Sequence, residues 1–189
     1  QAHGQYQLIG RTIDDAGGEA FDKVGRMLKL PYPGGPEIEK HAREGNPKSF
    51  AFPRAHLKGA PFNFSFSGLK TAVLYQLEKL DDPQAYLADL CASFQDAVID
   101  TLVKKTLKAA RQTGHTLITL SGGVACNRTL QEALTLAAQN AGIKVQPTPP
   151  ALTTDNAGMI ALAALLASEN RPSDSLEIGI DPNLVLATP

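Results

Sequence analysis

Residues 117–134 read LITLSGGVACNRTLQEAL, and this stretch decides the fold class. The apolar residues 117–120 predict a short strand, the glycine pair 122–123 predicts a sharp turn, and the following residues predict a helix. Glycines let a ligand approach the backbone, and the free N–H groups of a first helical turn favour an anion. The stretch therefore predicts an α/β fold with one of two roles for the turn. It forms a nucleotide pocket that Asn127 can reach, or it is an ordinary strand-to-helix connection.

A second landmark, IDDAGGEAFDKVGRML, lies near the amino end of the chain. The apolar residues after its glycines recur at helical spacing and predict an amphipathic helix over residues 17–29. Asp22 projects from this helix, as a carboxylate that holds ribose hydroxyls would need to. The alternative is a solvated surface on which Glu19 and Lys23 pair at i, i+4 spacing.

Two further motifs predict turns beside helices. PYPGG at 31–35 is a rigid turn, because its prolines fix φ and its glycines allow close approaches. In PPALTTDNAGMI, at 149–160, Thr154, Asp155 or Asn156 is a good N-cap for the apolar helix that follows. Local sequence favours a cap over a metal or phosphate ligand for Asp155.

Five motifs occur in one order along the chain: IDDAGGEAFDK, YPGGP, FNFSFSGLKT, SGGVACNRTL and TTDNAGMIA. In this order and at this spacing they resemble the carboxy-terminal part of the TsaD family. Older names for its members are Gcp and O-sialoglycoprotein endopeptidase. The resemblance runs from about Gly4 to Leu186, through nearly the whole chain.

The resemblance implies a fold and an activity. The fold would be a ribonuclease-H-like α/β lobe of the actin-like, sugar-kinase-like and Hsp70-like ATPase type, with a helix-rich insertion. The activity would be transfer of a threonylcarbamoyl group from threonylcarbamoyl-adenylate to N6 of the adenosine next to the anticodon in tRNA. The implied partners are tRNA and, in bacteria, TsaB and TsaE, and the implied location is the cytoplasm.

By motif position, the resemblance also implies the site residues. Asp22 and Asn127 correspond to the family's nucleotide-contacting side chains, and Gly35 to its backbone contact. The nucleotide would be threonylcarbamoyl-adenylate, ATP or ADP. Asp155 corresponds to the aspartate ligand of a divalent metal, iron or zinc. Catalysis would then be mostly orientation of an already activated carbonyl, aided by a polarising cation.

The chain departs from the family pattern at its amino end. No HxxxH pair is present, and the four histidines are scattered: His3, His41, His56 and His115. The resemblance therefore implies one region, residues 1–189, without the amino-terminal lobe and its histidine ligands. We expect this piece to be inactive alone, with an empty or adventitiously filled metal position. A metallopeptidase, as the old name suggests, and a non-catalytic interaction fragment remain the alternatives.

Composition bounds these hypotheses. At 189 residues with 43% hydrophobic side chains, the chain can bury one core, and a net charge of −1 gives no global nucleic-acid footprint. Cys91 and Cys126 are isolated, which predicts a reducing compartment. No HExxH motif or membrane-length apolar run occurs.

Periodicity predicts the remaining elements. In the first third of the chain we expect a strand over Tyr6–Thr12, a short helix over Pro36–Glu44 and a long loop over 45–66. Helices are expected over 67–80 and over 83–113, the second of which could be broken. Strands are expected over 116–120 and 144–146, with one helix between them and a further helix from residue 156. Phenylalanines in the loop either anchor it to the core or stack on RNA bases beside Arg54, His56 and Lys58. A basic stripe (Lys104, Lys105, Lys108 and Arg111) is interpreted as a solvated helix face.

Overall fold

A computed structural model describes residues 6–168 and residue 179 of the chain. Within these residues, eight regular elements follow one another in this order: α1 (Gly17–Met27), α2 (Gly34–Ala42), α3 (Ser67–Leu77), α4 (Leu87–Thr113), β1 (Leu117–Leu120), α5 (Arg128–Gln139), β2 (Lys144–Pro147) and α6 (Ala157–Ser168). Short 3₁₀ turns occupy Pro83–Tyr86, Gly123–Cys126 and Pro150–Leu152. The fold is α/β, as predicted.

Helix α4 joins two hydrophobic cores. Its 27 residues span about 40 Å at 1.5 Å per residue. The first half buries Leu90 and Phe94 against α1, α2 and α3, while the second half packs Leu107 among β1, α5 and β2. Gly114 ends the helix in the left-handed conformation (φ 72°), which glycine adopts without strain.

The two strands form a parallel pair, with Leu117 opposite Lys144. Parallel neighbours need a crossover connection, and α5 supplies it. Ile118 points into the second core and is buried, whereas Leu117 is exposed. The strand, turn and helix predicted from residues 117–134 are therefore confirmed, with a 3₁₀ turn inserted before α5.

Two sequence predictions are wrong in detail. Within residues 6–168 the segment Tyr6–Thr12 is not a strand, because only Thr12 forms a bridge there, an isolated parallel one with Phe64. The short helix begins at Gly34 rather than Pro36, so the predicted turn glycines form its first turn. The region 83–113 resolves into a 3₁₀ turn and the continuous helix α4.

Aromatic side chains anchor the long loop between α2 and α3, as predicted. Phe52 and Phe66 are buried in the first core, with Phe50 and Phe64 packed against it. The rings of Phe50 and Phe52 stack at 6.1 Å between centroids, and those of Phe64 and Phe66 at 6.2 Å. Rings held in this way stabilise the loop and are not free to stack on bases.

No helix within residues 6–168 combines the length and the apolar composition that a bilayer crossing needs.

Candidate functional site

Helices α1 and α2 cross at a pair of glycines. A Cβ added to Gly25 would lie 2.8 Å from the Cα of Gly34, and one added to Gly34 would lie 2.7 Å from the carbonyl oxygen of Phe21. Contacts this short require the backbones to move apart. The crossing therefore needs glycine at both positions, which explains the first glycine of PYPGG by packing alone.

Asp22 lies at this crossing beside the start of α2. Its Oδ1 accepts a hydrogen bond of 2.8 Å from the backbone N–H of Gly34. The carboxylate therefore satisfies one of the free donors at the amino end of α2 and also complements the helix dipole. Its half-buried position leaves the carboxylate partly open to solvent. Asp22 thus has a structural role that the sequence did not predict, beside the predicted ligand contact.

Gly35 is next to this carboxylate but is not required by packing. A Cβ added there would meet only the Cβ of Phe21, at 3.9 Å, which is an ordinary contact. Its φ is not in the left-handed region either. The structure brings Asp22 and Gly35 together through Gly34 and offers no steric reason for glycine at position 35.

The predicted Glu19–Lys23 pair is present and belongs to a larger ionic cluster. Lys23 Nζ lies 2.7 Å from Glu19 and 2.8 Å from Asp15, and Lys70 Nζ lies 2.8 Å from the other oxygen of Asp15. Hydrogen bonds from Lys23 and Lys70 lower the pKa of Asp15, and the bond to Asp15 raises that of Lys23. These groups join α1 to α3.

Asp14 is an important residue that the sequence reasoning missed. Its carboxylate accepts hydrogen bonds from Ser65 Oγ, from the backbone N–H and Oγ of Ser67, and from the N–H of Phe66 at 2.8 Å. No side chain of the helix itself caps α3, so Asp14 caps it from 52 to 53 positions away. Burial would raise the pKa of Asp14, but the hydrogen bonds outweigh it and lower the pKa to about 2.

Asn127 is the N-cap of α5. Its Oδ1 accepts a hydrogen bond from Leu130 N at 2.9 Å, and its Nδ2 donates to Gln95 Oε1 at 2.8 Å. The side chain is 7% exposed. Most of its bonding capacity is therefore used within the protein, and one N–H of the amide is left for another acceptor.

The turn before α5 lies against both α1 and α2. A Cβ added to Gly18 would be 3.5 Å from a methyl group of Val124, and Glu39 on α2 accepts a 2.9 Å hydrogen bond from Arg128 N. Asn127 therefore lies at the junction of α1, α2 and α5. No hydrogen bond between Asn127 and Asp22 or Gly35 occurs within residues 6–168.

The segment that carries Asp155 lies beside the carboxyl ends of strands β1 and β2. Thr148 N donates to Leu120 O at 2.8 Å, and Gly122 N donates to Thr153 O at 2.9 Å. The carboxyl ends of both strands, the glycine turn and the segment before α6 are thus adjacent. In open α/β sheets, ligands bind outside the carboxyl ends of the strands.

Asp155 is exposed, and it is not the cap of α6. Asn156 Oδ1 accepts the hydrogen bond from Met159 N at 2.9 Å, so of the three candidate caps Asn156 is the one used. The cap interpretation of Asp155 is wrong, because the helix begins one residue later than that role requires. Across the described part of the chain, no group of three or more His, Cys, Asp or Glu side chains could hold a metal ion.

Comparison with known proteins identifies the family. The family model described as "TsaD: tRNA N6-adenosine threonylcarbamoyltransferase" matches residues 1–162. The chain belongs to the TsaD family. It is similar to the tRNA N6-adenosine threonylcarbamoyltransferase of Symbiobacterium thermophilum, with 49% identity over 97% of this chain and 54% of the relative. The protein of the same name from Desulfitobacterium hafniense is 47% identical over 99% of the chain and 55% of the relative.

The chain thus spans about half the length of these TsaD relatives. Among solved structures, the chain resembles the crystal structure of T. kodakarensis HypF. The TM-score is 0.59 at 20% identity, and the match covers 82% of this chain and 20% of HypF. At this identity the likeness concerns the fold alone, and it agrees with the α/β architecture.

Proposed function

We propose that this chain forms part of a tRNA N6-adenosine threonylcarbamoyltransferase. The complete enzyme would transfer a threonylcarbamoyl group from threonylcarbamoyl-adenylate to N6 of the adenosine next to the anticodon in tRNA. The observation that carries the proposal is the TsaD family match over residues 1–162, together with relatives of that name at 47–49% identity. Because the chain spans about half of each relative, the activity belongs to the complete protein.

We place the adenylate at the junction of α1, α2 and α5. Asp22 supplies a partly open carboxylate for the ribose hydroxyls, and Gly35 supplies a backbone that a ligand can approach without meeting a Cβ. Asn127 lies at the start of α5, where one amide N–H remains available. Such a site fixes the position of the activated carbonyl, and positioning alone can account for much of the rate of an acyl transfer.

Beyond the α/β class, we propose that the chain folds as a ribonuclease-H-like lobe of an actin-like ATPase. The parallel strand pair, its helical crossover and the glycine turn at the carboxyl end of β1 are consistent with it. The helix-rich part, α2 to α4 with the aromatic loop, would be the insertion. We also propose tRNA, TsaB and TsaE as partners and a cytoplasmic location, in keeping with two unpaired cysteines.

The residues described do not form a metal site by themselves. Asp155 offers one exposed carboxylate, whereas firm binding of a transition metal needs about three or four protein ligands. An iron or zinc ion bound through Asp155 would therefore need ligands from the remainder of a complete enzyme. The single carboxylate of Asp155 likewise gives no support to the alternative hypothesis of a metallopeptidase.

A chimera tests the proposed function. In it, this chain replaces the matching 54% of the Symbiobacterium thermophilum relative. We expect the chimera to form threonylcarbamoyl-adenosine on an unmodified tRNA that reads an ANN codon. Asp22→Asn should lower kcat/KM at least about tenfold, because the amide oxygen still accepts from Gly34 N while the charge on the carboxylate is lost.

The matched control is Asp81→Asn at an exposed aspartate far from α2 in sequence. It should leave kcat/KM unchanged. A folded chimera that binds nucleotide but forms no product, or one in which Asp22→Asn retains full kcat/KM, would contradict the proposal.

A further inference from the structure

A groove of about 690 Å³ runs between the aromatic loop and the middle of α4. Residues between Pro47 and Pro61 form one wall, and residues between Asp96 and Lys108 form the other. Arg54 and His56 of the loop thus face the basic stripe of α4, from which they are separated by about 50 positions in sequence. Each feature alone is an ordinary solvated surface, and the fold places them on opposite sides of one channel.

The groove concentrates positive charge. Among the residues that the structure describes, five lysine or arginine side chains line it (Lys48, Arg54, Lys104, Lys105 and Lys108), against two aspartates, Asp96 and Asp100. This is an excess of three positive charges in a chain whose net charge is −1, so the remaining surface carries a net negative charge. A polyanion approaching the chain would therefore be directed to this groove.

The two aspartates fix the shape of the groove. Arg54 bonds to Asp96 and Asp100 on α4 and donates a third hydrogen bond of 2.7 Å to Phe52 O. This fork attaches the loop to the helix. Arg54 is consequently a structural support whose donors are largely occupied. Lys105 is also engaged, since its ammonium donates to Asn63 O and lies 5.6 Å from the centre of the Phe64 ring.

Other cations remain available at the mouth of the groove. Lys104 has a side chain 74% exposed, with one surface ion pair to Asp100 that contributes little. Lys108 is exposed and forms no ion pair within the described part of the chain. The two are one helical turn apart on one face of α4, about 6 Å along its axis. They present ammonium groups in a row along the channel.

Accessible phenylalanine surface is scarce in the groove. Of the described residues that line the groove, one is a phenylalanine, Phe50. The ring of Phe50 is half-buried and stacked on Phe52. Base stacking needs accessible ring faces, whereas phosphate contacts need cations and no particular base sequence. The chemistry of the groove therefore suits a sugar-phosphate backbone.

We propose that this groove binds the phosphate backbone of the tRNA substrate, with Lys104 and Lys108 as the principal phosphate contacts. The identity of the RNA as tRNA rests on the proposed function. The site is separate in sequence from Asp22, Gly35 and Asn127. It would hold a part of the tRNA whose sequence is not recognised, while the adenosine is held elsewhere. A single groove with this charge gives weak binding, with Kd in the micromolar range or above.

Salt dependence of RNA binding tests the proposal. The 189-residue chain would be titrated against two unmodified tRNAs, one that reads an ANN codon and one that does not, over about 50 to 200 mM NaCl. Each phosphate contact contributes about 0.7 to 0.9 to the slope of log K against log salt. The double variant Lys104→Gln/Lys108→Gln should therefore lose about 1.4 to 1.8 from the slope, equally for both tRNAs. The ratio of the tRNA affinity of the unaltered chain to that of the double variant should fall about tenfold between about 50 and 200 mM NaCl.

The matched control is Lys79→Gln/Lys144→Gln, which removes the same charge at two exposed lysines outside the groove. Its slope should equal that of the unaltered chain. Equal slopes for both double variants, or no tRNA binding by the unaltered chain at about 50 mM NaCl, would overturn the proposal. Groove-dependent binding to phosphatidylserine vesicles without tRNA binding would also overturn it. The proposed function is tested separately, by whether the chimera transfers a threonylcarbamoyl group. The groove is expected to bind both tRNAs alike, so its binding of tRNA does not depend on the result of that transfer assay.

Discussion

Replacing Asp14 with alanine should destabilise the chain by about 2–3 kcal/mol at neutral pH. The substitution removes the acceptor for the N–H groups of Phe66 and Ser67 at the start of α3, and for the hydroxyls of Ser65 and Ser67. Loss of an N-cap costs about 1 kcal/mol, and each hydrogen bond to a charged group contributes about 1.5–3 kcal/mol. Because Asp14 is only partly buried, water replaces some of these bonds and reduces the total.

The stability contributed by Asp14 should depend on pH. Its folded-state pKa of about 2 lies below the ordinary value of 3.8, so folding favours the ionised carboxylate. The contribution is complete above about pH 5 and is lost as the pH falls through 3.8 towards 2. The shift corresponds to at most about 2.4 kcal/mol, or about 1–2 kcal/mol after allowance for solvent screening. About half of this should be gone at pH 3.

Urea unfolding of the chain and of Asp14→Ala, followed by circular dichroism at pH 7 and pH 3, measures both effects. The difference in unfolding free energy should shrink as the pH falls, because the unaltered chain loses the contribution and the variant never had it. Asp81→Ala is the control, since Asp81 is exposed and forms no hydrogen bond or ion pair within residues 6–168. A cost below about 0.5 kcal/mol at pH 7, or a cost independent of pH, would refute the reasoning.

Two helix starts provide further predictions. Asn127→Ala should cost about 2–3 kcal/mol of unfolding free energy, because it removes a buried cap and leaves Oε1 of the Gln95 amide without its donor; an unchanged urea midpoint would contradict this. Asn156→Ala should cost about 1 kcal/mol through loss of the α6 cap, whereas Asp155→Ala should cost almost nothing in stability, and equal costs would be the contrary result. In the complete enzyme we expect Asp155→Ala to abolish transfer, which an assay of tRNA modification would check.

Local patterns sufficed where local interactions decide the structure. The strand, glycine turn and helix from residue 117 follow from apolar runs and glycines. The anchoring role of the loop phenylalanines follows from the difficulty of exposing several rings at once. By contrast, Tyr6–Thr12 has the composition of a strand, but a strand also needs a partner strand, and within the described part of the chain only Thr12 forms a bridge.

Long-range pairing accounts for the remaining gaps. Asp14 and the start of α3 are 53 positions apart, so nothing near Asp14 indicates that it caps a helix. The groove likewise depends on contact between Arg54 and the aspartates of α4, 42 to 46 positions away. For the candidate site, the family motifs indicated Asp22 and Gly35. Only the three-dimensional structure distinguishes Gly34, which the packing of α1 against α2 requires, from Gly35, which that packing does not require.

That separation provides the most direct test of the adenylate site. In the chimera, Gly35→Ala should leave the unfolding free energy unchanged or raise it by up to about 1 kcal/mol, because the added Cβ makes an ordinary contact and alanine favours helix. Gly34→Ala should instead lose about 1–3 kcal/mol through its clash with Phe21 O. The decisive measurement is kcat/KM for threonylcarbamoyl-adenylate with Gly35→Ala. We predict a loss of at least about tenfold with no loss of stability, and an unchanged kcat/KM would contradict a nucleotide bound against this backbone.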